Sequence, residues 1–338
     1  MQRTSGLTSP ATTNRLPRHR AAWVLLVLAC LAAAGLAAAQ SPGPQPGVGQ
    51  EPITPVPSAP ALDPRRVALG ERLFEDERLS GDHTRSCFSC HNTQTNGASP
   101  LAHDLTPGGR PIALTTPTVF NAALSFHLNW EGNVRSLERE AEQTLGNPET
   151  MASSAAEAAV KLRADPKMVR LFRDAYGKEP DAATLLDAIA TYERSLLTPG
   201  SRFDRWLAGD SGAITAKELA GYQLFKSLGC IACHQGANVG GNLFQRHGIF
   251  HPFGSRLPEL VRVPSLRNVV ATPPYFHDGS APTLEAAVKI MGFAQLDRVL
   301  TDEQVSALVA FLGTLTGSYR GQEIRPASAL APAAMAPP

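Results

Sequence analysis

The stretches CFSCH at residues 87–91 and CIACH at residues 230–234 decide the class of this 338-residue chain. Each is a Cys-x-x-Cys-His motif, the signature of c-type haem attachment. Two thiols on one helical turn can reach the two vinyl groups of a porphyrin, and the adjacent histidine can then bind the iron. The predicted attachment residues are Cys87, Cys90, Cys230 and Cys233, and the predicted iron ligands are His91 and His234.

Three other uses of paired cysteines explain these motifs less well. Disulfides are expected in exported proteins, but a Cys-x-x-Cys pair closes only a tiny loop. A thioredoxin-like motif would occur once, and a zinc site made of four cysteines gives no reason for a histidine after each pair. The fifth cysteine, Cys30, lies in the N-terminal segment, so the two motifs use all the others.

Residues 1–39 have the features of a secretory signal peptide. Arginines precede an apolar run over residues 21–39, and the small residues at 37–39 suit a signal peptidase. We expect cleavage before Gln40 and export to the periplasm. An uncleaved membrane anchor is an alternative, although the run only just reaches spanning length. A lipoprotein acylated at Cys30 is another.

The charge balance argues against a nucleic-acid-binding protein. The chain has 31 Lys and Arg against 30 Asp and Glu, a formal net charge of +1. Cleavage of the leader removes arginines and no acidic residue, so the mature chain is mildly acidic. Nucleic-acid binding would require a basic stripe, which this sequence lacks.

Composition divides the mature chain into four parts. Residues 40–62 are rich in Pro and Gly and are predicted to be a linker, and residues 322–338 are predicted to be a flexible tail. Between them we expect an N-terminal domain over residues 63–208 and a C-terminal domain over residues 209–321. Each contains one haem motif.

The two halves share an internal repeat. The segment GERLF at 70–74 precedes the first haem motif, and GYQLF at 221–225 precedes the second. A later amphipathic helix, predicted over Ala182–Leu197 and over Val305–Leu315, closes each half. Helix, haem motif, irregular loop and closing helix form the plan of a small cytochrome c domain, which occurs twice here.

Helix-start signals agree with this plan. TAKE at 215–218 and TDEQ at 301–304 are capping boxes, which mark helix N-termini. Alternating strand patterns are scarce. The sequence therefore predicts a mainly α protein with two cytochrome c-like domains, each built around one covalent haem.

Methionines are the candidates for the second axial ligand of each iron. Met291 lies shortly before the closing helix of the second half, and a thioether there would raise the potential of the second haem. Met151 lies at a comparable distance after His91, with Glu149 close by. If methionine binds both irons, the protein only transfers electrons. An open first iron could bind peroxide.

At this point the chain resembles the bacterial di-haem cytochrome c peroxidase family, which includes the MauG-type enzymes that oxidise tryptophan in other proteins. The resemblance runs from about residue 68 to 317, nearly the whole folded part. Its motifs are LSG at 79–81, PTVFNA at 117–122, WEG at 130–132, PSLRN at 264–268, PYFHDG at 274–279 and IMG at 290–292.

The resemblance implies an enzyme that reduces hydrogen peroxide to water at the first haem. The second haem would receive electrons from a small c-type cytochrome or a cupredoxin. Met291 matches the axial methionine of the family, where tryptophan-oxidising members have tyrosine, so it favours a peroxidase. Trp130 matches the tryptophan between the haems and is expected to relay electrons. His277 and Arg262 match family residues near the haems.

Two departures concern the first haem. Many family members have a distal histidine where this chain has Pro107, so either nearby His103 or nothing caps the iron; we favour an open iron. The catalytic glutamate of the family is replaced by Thr150, and Glu149 is one residue earlier. Glu149 is therefore our candidate acid–base group, and Glu140, at a position where glutamine is common, is the alternative.

A third departure concerns calcium. The resemblance implies a calcium ion between the domains, and Thr272 and Pro274 match two of its positions. Thr115, however, replaces an asparagine, and a hydroxyl is a weaker oxygen donor than an amide. Calcium binding, the identity of the donor and homodimer formation stay open. The rival functions are tryptophan oxidation on a partner protein and electron transfer without catalysis.

Overall fold

The computed structural model describes residues 51–253 and 258–327. The predicted leader, with Cys30 and its cleavage site, lies outside these ranges, as does most of the predicted tail. Within the described ranges, no helix is long and apolar enough to cross a membrane.

Helices form the first half of the structure. Asp63, Ser136, Ser154 and Asp181 are N-cap residues whose side chains accept backbone hydrogen bonds, which explains where four of them begin. The helices are α1 (Pro64–Phe74), α2 (Cys87–Cys90), α3 (Leu137–Gly146), α4 (Ala155–Arg163), α5 (Pro166–Tyr176), α6 (Ala182–Ser195) and α7 (Arg202–Leu207).

The second half repeats the same plan with fewer helices. They are α8 (Ala216–Ser227), a 3-10 turn over Cys230–Ala232, α9 (Leu284–Leu296) and α10 (Asp302–Gly313). Both predicted capping boxes form, with Thr215 and Thr301 as the N-cap residues.

Strands are scarce in the described ranges. Two-residue strands pair antiparallel as β1 (Phe244–Gln245) with β2 (Val261–Arg262) and as β3 (Ser318–Tyr319) with β4 (Gln322–Glu323). The mainly α class is therefore confirmed.

Each half of the repeat has its own large hydrophobic core. In the first, Leu73 of α1 packs with Phe172 of α5 and Leu185 of α6. In the second, Tyr222 of α8 packs with Phe311 of α10. Phe203 of α7 also belongs to the second core, although α7 precedes the predicted domain boundary at residue 208.

Parts of the predicted linker and tail are packed. Ile53 is 1% exposed and lies in the second core. Glu51 accepts hydrogen bonds from Tyr222 Oη at 2.5 Å and Lys226 Nζ at 3.0 Å. Ile324, beyond β4, is buried in the first core. At these positions the structure is more ordered than a linker or flexible tail, because Ile53 and Ile324 are each buried in an adjoining hydrophobic core.

The paired helices of each half meet through a glycine. An added Cβ at Gly70 in α1 would lie 2.0 Å from the carbonyl oxygen of Ala188 in α6. At Gly221 in α8 it would lie 2.0 Å from the carbonyl oxygen of Ala307 in α10. The glycine of each repeated segment therefore lets the first helix of a half approach its closing helix, just ahead of the haem motif.

Candidate haem sites and active site

The haem motifs of both halves lie on the wall of one cavity of about 740 Å³. Its wall includes all four cysteines and both histidines of the haem motifs, together with Trp130 and Met291. Most of the remaining lining is apolar, contributed by side chains such as Phe74, Leu145 and Leu312.

The first motif forms the short helix α2. Ser86 and Ser89 form a capping box at its start, with Ser89 Oγ accepting from Ser86 N at 2.9 Å. His91 ends the helix, and its Nδ1 lies 3.1 Å from the carbonyl oxygen of Gly97. Burial lowers the pKa of His91, so its ring is neutral. With the proton on Nδ1, Nε2 keeps its lone pair for a metal ion.

The second motif reaches the same arrangement through a 3-10 turn. His234 Nδ1 lies 3.3 Å from the carbonyl oxygen of Val239, five residues further along the chain. Burial lowers the pKa of His234 to about 4. This imidazole is also neutral at ordinary pH and has Nε2 available as a ligand atom.

The donor set at each motif fits a c-type haem. None of the four cysteines forms a disulfide. Burial raises the pKa of both Cys90 and Cys230 to about 11, so the thiols are protonated. Free thiols beside a neutral histidine, on the wall of an apolar cavity, are what covalent haem requires.

Both candidate methionines line the cavity. Met291 lies on α9, and Met151 is 4% exposed within the first core. Burial of Met151 is also consistent with packing alone, since methionine fills irregular gaps in cores. The structure therefore brings each methionine to the cavity wall.

Trp130 is held from three sides on the cavity wall. Its Nε1 donates a hydrogen bond of 2.7 Å to the carbonyl oxygen of Thr115. The ring of His277 lies 4.2 Å from the indole, and the Arg262 guanidinium carbon lies 5.7 Å from it. Arg262 Nε donates to the carbonyl oxygen of Asn129 at 2.7 Å. The indole thus has a single, well-supported position.

Sequence reasoning missed a buried histidine pair beside this tryptophan. His247 Nε2 and His277 Nδ1 lie 2.6 Å apart, and both residues line the cavity. Burial, followed by the charge of His247, lowers the pKa of His277 to about 3. Both rings are therefore neutral at ordinary pH. His247 follows a Gly-rich loop without any local motif, so the sequence carried no signal for this contact.

The structure does not bring Glu149 to the cavity. Its side chain is 54% exposed, and Oε1 lies 3.7 Å from Arg110 Nη2. His103 is also exposed, and its Nδ1 lies 2.8 Å from the carbonyl oxygen of Ile112. Neither residue belongs to the wall, because both side chains turn to solvent. Pro107 is exposed as well.

Two other carboxyl groups do line the cavity. Glu140, the alternative acid–base candidate, lies on α3, and its Oε1 accepts a hydrogen bond of 2.8 Å from Thr144 Oγ1. Glu193 on α6 was missed. It follows Leu185 and Ile189 at helical spacing on the buried face, and a glutamate in such a position is the signal that could have revealed it.

Comparison with known proteins agrees with this geometry. Residues 64–212 match the model for di-haem cytochrome c peroxidase, and residues 219–316 match the model for cytochrome c. The cytochrome c551 peroxidase of Nitrosomonas europaea is 38% identical over 282 residues, which are 79% of this chain and 84% of the relative. The chain belongs to the di-haem cytochrome c peroxidase family. The predicted family is thereby confirmed, and haem c is its cofactor.

Other members of the family are similar over the same region. The cytochrome c551 peroxidase of Pseudomonas aeruginosa is 36% identical, over 79% of this chain and 83% of its own length. A crystal structure of a MauG-like protein associated with microbial copper homeostasis has a TM-score of 0.69 at 25% identity. It covers 82% of this chain and 96% of that one. The chain therefore shares its fold with this MauG-like protein.

Proposed function

We propose that this protein reduces hydrogen peroxide to water at the first haem motif, with electrons received at the second. The observation that carries the proposal is that His91, His234 and Trp130 lie on the wall of one cavity. Relatives at 36–38% identity that are named cytochrome c peroxidases support the same activity.

Each half contributes its own residues to hold a haem. Cys87 and Cys90 would attach the first, and His91 would bind its iron. Cys230 and Cys233 would attach the second, and His234 and Met291 would bind its iron. When bound, haem c supplies the electron storage and the iron chemistry that peroxide reduction needs.

Trp130 is proposed as the route between the two halves. Its Nε1–H is bound to a carbonyl oxygen, which cannot accept the proton, so the indole stays protonated. The nearby Arg262 cation disfavours a full positive charge on the ring. Trp130 therefore serves electron transfer from its place on the cavity wall between the two haem motifs, where Thr115 and His277 fix its position.

The proton chemistry points to Glu140. Reduction of hydrogen peroxide to two water molecules uses two electrons and two protons, so a group on the cavity wall must supply protons. Glu149, our first candidate, would have to leave Arg110 and turn inward from solvent. Glu140 already lies on the wall, and we assign it a part in the proton supply to the cavity.

The cellular setting is also a proposal. The predicted signal peptide supports export to the periplasm, where a small c-type cytochrome or a cupredoxin would be the donor. The calcium ion and the homodimer stay predictions. Thr115 occupies the position of the calcium-binding asparagine. Its carbonyl oxygen accepts a hydrogen bond from Trp130 Nε1, and its hydroxyl donates one to the carbonyl oxygen of Phe276.

A second candidate function is electron transfer without catalysis, favoured by the position of Met151 on the cavity wall. The test uses the holoprotein with both haems. We expect high-spin ferric haem in its electron paramagnetic resonance spectrum and peroxide turnover with a reduced small cytochrome. Met151→Leu, which keeps the volume of the side chain, should leave that spectrum unchanged. A low-spin wild type that becomes high-spin in Met151→Leu would instead support the electron-transfer cytochrome.

A further inference from the structure

Glu193 is a buried carboxyl group on α6 that lines the cavity. It is 5% exposed, and its Oε2 has no hydrogen-bond partner among the described residues. Its chain neighbour Arg194 is not free to pair with it, because Arg194 binds Glu138 across the α3–α6 contact. An unpaired carboxylate in such a place is costly, so the proton-bound form is favoured.

Electrostatics support the same conclusion. Burial raises the pKa of Glu193 well above its usual value, and the negative charge of Glu140 raises it further. The positive charge of Arg194 lowers the pKa of Glu193, and the negative charge of Glu138 raises it again in part. Glu193 and Glu140 both line the cavity whose wall includes Cys87, so the two carboxyl groups lie beside the first haem motif.

Glu140 faces Glu193 from the neighbouring helix. The ion pair of Glu138 with Arg194 holds α3 and α6 together at this level, two residues from Glu140 and one from Glu193. Glu140 is half-buried, so it has access both to the cavity and to solvent. Thr150 occupies the position of the family's catalytic glutamate but has no carboxyl group. Its hydroxyl donates a hydrogen bond of 2.7 Å to the carbonyl oxygen of Thr144.

We infer that Glu193 is the proton donor to the cavity beside the first haem motif and that Glu140 returns the proton to it from solvent. The inference rests on the proposed function and deepens it. In each turnover the O–O bond of hydrogen peroxide breaks, two electrons come from the donor protein, and two O–H bonds form. The pair delivers the two protons in succession: Glu193 gives each one up and regains its proton through Glu140.

Infrared difference spectroscopy of the ferric holoprotein between neutral and alkaline pH tests the protonation of Glu193 without any turnover. Ordinary carboxyl groups are already ionised over this range, so a C=O stretch that disappears at alkaline pH and shifts in D2O reports a carboxyl of raised pKa. Glu193→Gln should abolish this band. Glu142→Gln, an exposed glutamate of the same helix as Glu140, should leave it intact. A band that persists in Glu193→Gln would overturn the inference.

The pairing with Glu140 has its own measurement. Glu140→Gln removes the neighbouring negative charge, so the alkaline midpoint of the Glu193 band should move to lower pH. An unchanged midpoint would contradict the pairing. This outcome is independent of Glu193→Gln, should that variant fail to incorporate both haems.

Peroxide turnover then separates the inference from the proposed function. Glu193→Gln should turn over peroxide at least ~10²-fold more slowly, the usual contribution of a positioned acid–base group. Equal turnover would overturn the donor role, even if the band is lost. A wild-type protein that has the band but turns over no peroxide would refute the proposed function, and with it the role of Glu193 as a donor, while leaving its protonation established.

Discussion

Substitution of Gly221 by alanine tests how the second haem domain is assembled. The new Cβ would lie 2.0 Å from the carbonyl oxygen and 2.7 Å from the carbonyl carbon of Ala307, both backbone atoms, and 3.0 Å from Phe311 Cβ. Helix α8 must therefore move away from α10. Overpacking of a well-packed contact costs about 1–3 kcal/mol, and a backbone clash belongs at the upper end.

Helix propensity acts in the opposite direction. Alanine is better than glycine in a helix interior by about 1 kcal/mol, so the net loss in the free energy of unfolding is about 2 kcal/mol. For a chain of this size, each kcal/mol lowers Tm by about 2–4 °C, which gives a decrease of about 4–8 °C.

The matched control is Gly313→Ala at the end of α10, where nothing lies within 4 Å of the added Cβ. Its stability should equal or exceed that of the wild type. Urea denaturation of the holoprotein, followed by circular dichroism, measures both variants. Unchanged stability of Gly221→Ala, or an equal loss in Gly313→Ala, would refute the packing argument.

Four further predictions concern the haem sites. Replacing Cys230 and Cys233 by alanine should leave one covalent haem and abolish turnover; two haems retained after acid–acetone extraction would contradict the attachment. Met291→His should lower the potential of the second haem, because imidazole stabilises ferric iron more than a thioether does, and an unchanged redox titration would make Met291 a packing residue. His103→Ala should alter neither the high-spin ferric signal nor the rate of cyanide binding, whereas faster binding in the variant would identify His103 as a cap. The pKa of Glu193 is raised in the folded state, so its contribution to stability is complete below the usual glutamate pKa and is lost as pH rises through the raised value. Urea denaturation across that pH range should therefore show a smaller decline in the free energy of unfolding for Glu193→Gln than for the wild type.

Sequence was sufficient wherever a feature depends on neighbours along the chain. The Cys-x-x-Cys-His motifs are local, since two thiols and an imidazole on one turn define the attachment of a haem. The capping boxes at Thr215 and Thr301 are local as well, and both form in the structure. The segments GERLF and GYQLF predicted two similar domains because a similar segment precedes each haem motif.

Tertiary structure decided which side chains reach the cavity. Glu149 is close to the first-haem region in sequence, but its loop directs it to solvent and Arg110. Glu193 is distant from any motif in sequence, and only the packing of α6 against α3 brings it to the wall beside Glu140. The direction of a loop side chain depends on contacts that the local sequence does not contain.

The same distinction applies to the edges of the domains. The polar and Pro-rich composition around residues 51–62 predicted a linker, and Ile53 has no neighbours there that would mark it as a core residue. Its burial depends on a hydrophobic space between Tyr222 and other residues of the second core. Local chemistry thus determined from sequence alone that this protein carries haem. Tertiary structure decided which carboxyl groups line the cavity, because burial and charge at a site are set by residues distant in the chain.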